Sequence, residues 1–277
     1  MTHVAVAVTD ETATHGTLRH QTEHLVMQIV PLVQATTGLA LPARVTFRIV
    51  TPQTWQAEHQ ELIRRELGQW RARQPWRDLT AAARREAVAR VAFRRQAPLL
   101  RNVVPAETLR KPALLSETLL IPEGLEHAGV AADEQHLVRV LAHELVHQAQ
   151  NLASAHRAFW AGSAGYGTAV TVVEEGHARW ADRRITGARF GTPVSPGSAR
   201  PSDHYLRVVQ DTGVAQMHQE LLVLQDAGCR MVEEAVRALG TDRINEVWSQ
   251  RLLLPTEQEI GDPDLWVTRI KQLGTVS

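Results

Sequence analysis

Apolar residues recur at two different periods along this chain. From Thr17 to Thr36, Leu18, Leu25, Ile29, Leu32 and Val33 fall on one side of a 3.6-residue helix, with Pro31 expected to kink it and Gly38 to end it. Arg44 to Val50 (RVTFRIV) alternates with a period of two instead, as a half-buried strand does. Val4 to Val8 alternates more weakly and reads as a short strand. Thr51-Pro52 supplies an N-cap and a first-turn proline for a helix reaching about Trp70. After Gln74-Pro75 a further helix, rich in Ala and Arg, opens at Asp78 or Thr80 and runs to about Ala97. Its arginines (Arg84, Arg85, Arg90, Arg94, Arg95) read as a solvated face, diluted by Glu86.

The second part is more strongly helical. Ala113 to Ile121 (ALLSETLLI), between Pro112 and Pro122, predicts a strand, followed by a Gly-containing loop. Asp133 then caps a helix with Leu137, Leu141, Leu145 and Leu152 on one stripe. The loose stretch Gly162 to Gly167 leads to a helix from about Thr168 to Ile185. A Pro/Gly/Ser loop from Gly191 to Pro201, a helix from Ser202 and a long helix ending at Gly240 come next. Thr241 is expected to cap a short helix carrying Trp248, and Asp262-Pro263 to start a last one carrying Trp266. The expected fold class is α+β, predominantly α-helical, with a small sheet early in the chain. It is read as a single domain, 1–277, comprising an N-terminal helical and strand portion, 1–112, and a helix-rich portion, 113–277.

Composition narrows the function without naming it. In 277 residues, 30 Lys+Arg balance 30 Asp+Glu, so no long-range field draws the chain to nucleic acid or to an anionic membrane. A chain this long buries a core that needs neither disulfide nor metal staple. The single cysteine, Cys229, fits a reducing compartment. The N-terminus MTHVAVAVTDETATH lacks a basic n-region, and the longest charge-free run, Ala158 to Val173, is too short and polar to span a bilayer. A cytoplasmic protein is expected.

The chemistry lies in His143-Glu144-Leu145-Val146-His147, an HExxH string inside a predicted helix. Spacing i, i+4 places both imidazoles on one helix face, one turn apart, where they can share a tetrahedral ion. Glu144 projects about 100° round from His143, placed to take a proton from water on the metal without coordinating it. Catalytic zinc takes three protein ligands and leaves one position open. The metzincin continuation HExxHxxGxxH fails, with Gln150 where Gly is required and Ala153 where the third His is required; His156 lies at the wrong spacing and reads as a surface residue. The string Val172-Val173-Glu174-Glu175-Gly176-His177-Ala178 in the next helix offers a carboxylate from Glu174 or Glu175, and Gly176 permits two backbones to approach closely.

HExxH followed by EGHA resembles the gluzincins, zincin metallopeptidases in which a glutamate, often within E-G-x-A, completes the site. With the tryptophan-bearing tail from Leu254-Pro255-Thr256 through Asp262-Pro263 to Trp266, it is similar to a poorly characterised family of zincin-like zinc-dependent proteases or hydrolases. That resemblance implies a zincin-like domain with a small sheet and an edge strand before the active-site helix, a place that Ala113 to Ile121 occupies, with a plain interior strand as the alternative reading of the same residues. It implies one Zn2+ held by His143, His147 and Glu175, with Glu144 as general base, acting on a peptide or protein substrate. Glu175 is preferred to Glu174 because it alone is followed by Gly-x-Ala. The gap from His147 to Glu175 exceeds that of the best-known gluzincins.

Several residues stay open. Tyr166, Tyr205, His177 and His204 are candidate oxyanion donors, and no spacing rule chooses among them. Asp182 can orient a ligand histidine or pair with Arg179 or Arg183 on its own helix. Ala161-Gly162-Ser163-Ala164-Gly165 lacks the first glycine of a nucleophile elbow, and no phosphate-binding glycine motif occurs. Two alternatives to a peptidase are a zinc-dependent hydrolase of a small amide and a non-catalytic zincin-like binding protein.

Overall fold

The computed structural model describes residues 4–72, 87, 97, 100, 103–111, 116–154, 167–210 and 212–274. The fold is α+β and predominantly helical, around one four-stranded sheet. Strand β1 (Ala5–Asp10) is followed by helix α1 (Gly16–Thr37), β2 (Arg44–Ile49) and α2 (Pro52–Ala72). Gly38 ends α1 in the left-handed conformation at φ 68°, donating its N–H to the Gln34 carbonyl, while Pro31 is accommodated inside the helix. Thr51 caps α2 by accepting the Thr54 N–H at 3.1 Å.

Two strands follow, β3 (Ala106–Arg110) and β4 (Ser116–Leu120). The sheet order is β1-β2-β4-β3, with β1, β2 and β4 parallel and β3 antiparallel to β4. The expected edge strand is therefore interior: β4 pairs on both sides, and β3 forms the edge. Period-two alternation sends Val45, Phe47 and Ile49 of β2 and Leu120 of β4 into the large core with α1, and Leu109 and Leu119 into a smaller core with Trp55 of α2. On that second side Arg48 ties Glu11, Glu58 and Glu117 together.

Helix α3 (Pro122–His127) replaces the expected loop, and α4 (Glu134–Ala153) carries the HExxH string. Asp133 caps α4, its carboxylate accepting from Gln135 and His136 N–H. Leu137, Leu141 and Leu145 are fully buried, as the stripe requires, while Leu152 is half-buried. Helix α5 (Gly167–Phe190) packs on α4, and α7 (Thr212–Leu239) packs on α5 after the short α6 (Asp203–Gln210).

The chain ends with α8 (Thr241–Asn245), α9 (Glu257–Gly261) and α10 (Pro263–Gly274). Gly240, at φ 81°, and not Thr241, precedes α8, and Trp248 lies in the 3-10 turn after it. The helix expected from Asp78 or Thr80 to Ala97 with its arginine run, the Gly162–Gly165 stretch, His156 and Tyr166 lie outside the described residues. Among the described residues, no helix is long and apolar enough to cross a membrane.

Candidate metal centre

Two helices bring three donors together. His143 and His147 stand one turn apart on α4, and Glu175 faces them from α5. Their Nε2 atoms are 3.1 Å apart. Glu175 places Oε2 3.4 Å from His143 Nε2 and Oε1 3.7 Å from His147 Nε2. Among the described residues this is the group of His, Cys, Asp and Glu side chains able to hold a metal ion, its ligand atoms all within 4.8 Å of one another. Ligands about 2.0–2.1 Å from a tetrahedral zinc are about 3.3–3.4 Å apart, so the spacing of the donor set fits such an ion. Glu174 enters differently, through its backbone carbonyl.

The remaining ring nitrogens explain why both Nε2 atoms converge. His143 Nδ1 lies 3.2 Å from Asp182 Oδ2, and His147 Nδ1 lies 2.8 Å from Gln150 Oε1. A carboxylate and an amide oxygen only accept, so each Nδ1 carries a proton and each Nε2 is the atom turned toward the other donors. Two neutral imidazoles would set lone pairs against each other at 3.1 Å, so the arrangement calls for positive charge between them. Asp182 serves both of the roles open to it: its other oxygen accepts from Arg179 Nη1 at 3.1 Å. Gln150 is held in turn, its Nε2 donating to the Glu174 carbonyl at 3.0 Å and lying 3.2 Å from His177 Nδ1. Gln225 of α7 donates to Glu175 Oε2 at 2.7 Å.

Without a metal the donors behave as an ion pair. Burial pulls the His143 imidazole down, but the carboxylates of Asp182 and Glu175 outweigh it and raise its pKa to about 10. Burial pushes Glu175 up, but His143, His147 and Gln225 hold it down at about 2. The site thus stabilises positive charge at the point where the Nε2 atoms meet.

Glu144 leaves α4 toward the sheet and is buried. Thr108 of β3 donates its hydroxyl to Glu144 Oε2 at 2.6 Å and lies 2.7 Å from the Thr118 hydroxyl. Gln148, one turn after Glu144, donates to the Thr118 hydroxyl at 2.9 Å and to the Thr46 carbonyl at 3.1 Å, fastening α4 to β2 and β4. Sequence reasoning missed Thr108, Gln148 and the positioning role of Gln150. Thr108 and Thr118 become neighbours only through the β3–β4 register.

The close approach at Gly176 is to α7, not to the HExxH helix: a Cβ there would lie 2.3 Å from the Gly228 carbonyl carbon. His177 is buried against Trp180 and Trp248, with ring centroids 5.5 and 5.3 Å away, and braces Gln150 without joining the donor set. His204 packs on His127 at 4.5 Å. Tyr205 lies close enough to Arg139 of α4 for the two to interact electrostatically. Cys229 is buried, which raises its thiol pKa to about 11 and makes it a poor nucleophile.

Among solved structures the chain is similar to one from Chloroflexus aurantiacus described as a "putative hydrolase with a novel fold". The two superpose with a TM-score of 0.54 at 15% identity, over 93% of this chain and 91% of the other. At that identity the likeness is one of fold. No protein-family model and no curated protein matches the sequence.

Proposed function

We propose that this protein is a zinc-dependent metallopeptidase of the zincin type, active in the cytoplasm, in which His143, His147 and Glu175 hold one Zn2+ and Glu144 is the general base. The observation that carries this reading is the convergence of the three donors, each Nε2 left free by a hydrogen bond to the opposite ring nitrogen. Among the described residues three protein donors come together with no fourth, which supports a position left open, as in catalytic and not structural zinc sites.

Zinc bound there supplies Lewis acidity toward a carbonyl oxygen and acidifies a water. Glu144 accepts that water's proton and returns it to the departing amine nitrogen. Thr108 holds Glu144 Oε2, so Oε1 is the oxygen left to carry the proton. Asp182 and Gln150 keep both imidazoles in the tautomer that coordinates. A peptide is favoured over a small amide because Thr108 belongs to the edge strand: an extended chain paired with β3 would pass the base.

The test is metal analysis of the wild type, His143→Ala, Glu175→Ala and Glu144→Gln after zinc loading, together with a broad peptide library read by mass spectrometry. One zinc in the wild type and in Glu144→Gln, none in the two ligand variants, and cleavage by the wild type alone are expected. A wild-type protein that retains no stoichiometric metal overturns the reading.

A further inference from the structure

Arg139 stands one turn before His143 on α4, so its side chain leaves the helix beside that of the ligand histidine. Its Nε is buried without a hydrogen-bond partner, and the guanidinium makes no hydrogen bond or ion pair with any described residue. Asp182 carries a counter-charge that Arg139 feels, but both its oxygens are committed, one to His143 and one to Arg179. The Arg139 guanidinium is therefore left without a paired acceptor on the helix that carries two of the donors. Arginine cannot shed its proton, and this half-buried guanidinium, its Nε enclosed, has no protein acceptor, so it can take an anion without first breaking an ion pair.

We propose that Arg139 binds a free carboxylate of the substrate, so that the protein cleaves next to a chain end and not within a chain. This rests on the metal-site reading above and adds the substrate class. In amide hydrolysis the terminal carboxylate belongs to the residue whose nitrogen departs, one residue from the scissile carbonyl. Successive Cα atoms are about 3.8 Å apart, and one helical turn rises about 5.4 Å, so a fork one turn from His143 is on the scale needed to reach it. A guanidinium takes both oxygens of a carboxylate at once.

The test compares N-acetylglycine with N-acetylglycinamide by calorimetry on the full-length protein, both zinc-loaded and after chelation, in the wild type, Arg139→Met and Arg139→Lys. The acid should bind the wild type about tenfold or more tighter than the amide. That preference should vanish in Arg139→Met and survive in part in Arg139→Lys, which also serves if Arg139→Met does not fold. Equal binding of acid and amide to the wild type, or an acid preference that persists in Arg139→Met, overturns the assignment; so does inorganic phosphate binding more tightly than the acid. The chelated arm keeps the two readings separable: the metal site fails on zinc stoichiometry, and Arg139 fails on acid against amide.

Discussion

The hydroxyl of Thr108 on the edge strand donates to the carboxylate of Glu144 on the HExxH helix at 2.6 Å. The direction of this contact is fixed from both ends. Gln148 Nε2 can only donate to Thr118, and an ionised carboxylate can only accept, so the hydroxyl protons run from Thr118 through Thr108 to Glu144. The sheet, as well as the helix, thereby sets where the proposed base points.

Thr108→Val removes that hydroxyl at nearly constant volume. A hydrogen bond to a charged group contributes about 1.5–3 kcal/mol, so peptide turnover should fall about tenfold or more. Zinc content should not change, because Glu144 is not a ligand in this scheme. Thr108→Ser should restore most of the rate. An unchanged kcat in Thr108→Val would show that the base is held by other means.

Asp182→Asn and Gln150→Leu each disturb the partner of one of the two histidines proposed as ligands. The residues that orient ligands typically contribute about 10–100-fold in metal affinity. Both variants should therefore lose zinc to a competing chelator at lower chelator concentration than the wild type, by a factor in that range. Asp182→Asn should also reduce thermal stability, since Arg179 is buried against it. Equal zinc affinity in all three proteins would mean that the histidines are oriented by packing alone.

Gly176 and Gly228 let α5 and α7 touch backbone to backbone. A Cβ on Gly228 would lie 2.2 Å from the Val172 carbonyl oxygen, and one on Gly176 would meet Gly228 backbone at 2.3 Å. Either alanine must push the helices apart, costing about 1–3 kcal/mol or more, and must loosen Gln225 from Glu175. Gly187, on the same α5, has only Pro193 near its added Cβ, at 3.5 Å and beyond. Gly187→Ala should be neutral or stabilising by about 0.5–1 kcal/mol, because alanine loses less entropy in a helix. Thermal melts of the three variants separate a close-packed crossing from a general intolerance of alanine.

Much of this arrangement was legible in the chain because local signals agree with tertiary ones. Asp133 marks the start of α4, Thr51-Pro52 the start of α2, and Gly38 the end of α1, and each does so through its own backbone chemistry. β3 escaped because AETLR has one fully buried apolar residue, Leu109, and owes its extension to pairing with β4. That pairing also moved β4 from the edge to the interior. Gln150 was visible only as the residue that breaks the metzincin string. Its hydrogen bond to His147 stays within α4, but the one to the Glu174 carbonyl crosses to α5, a relationship no one-dimensional spacing encodes.

His177 supplies a pH test of the layer behind the donors. Burial, with the His147 ring nearby, lowers its pKa from 6.5 to about 3, so it stays neutral in the folded protein. Gln150 Nε2 donates to its Nδ1, and Trp180 and Trp248 enclose the ring. Between about pH 6.5 and about pH 3 the unfolded chain binds a proton at this residue that the folded chain does not. Its contribution is therefore fully present above pH 6.5 and is lost as the pH falls, at up to about 1.4 kcal/mol per pH unit. His177→Phe keeps a ring between the tryptophans and removes the titration. Urea unfolding from pH 7 to pH 4 should show a shallower loss of stability for His177→Phe than for the wild type, with the two curves converging toward low pH. Parallel curves would mean that His177 takes up its proton in the folded state near its ordinary pKa, and that the wall behind Gln150 is open to water.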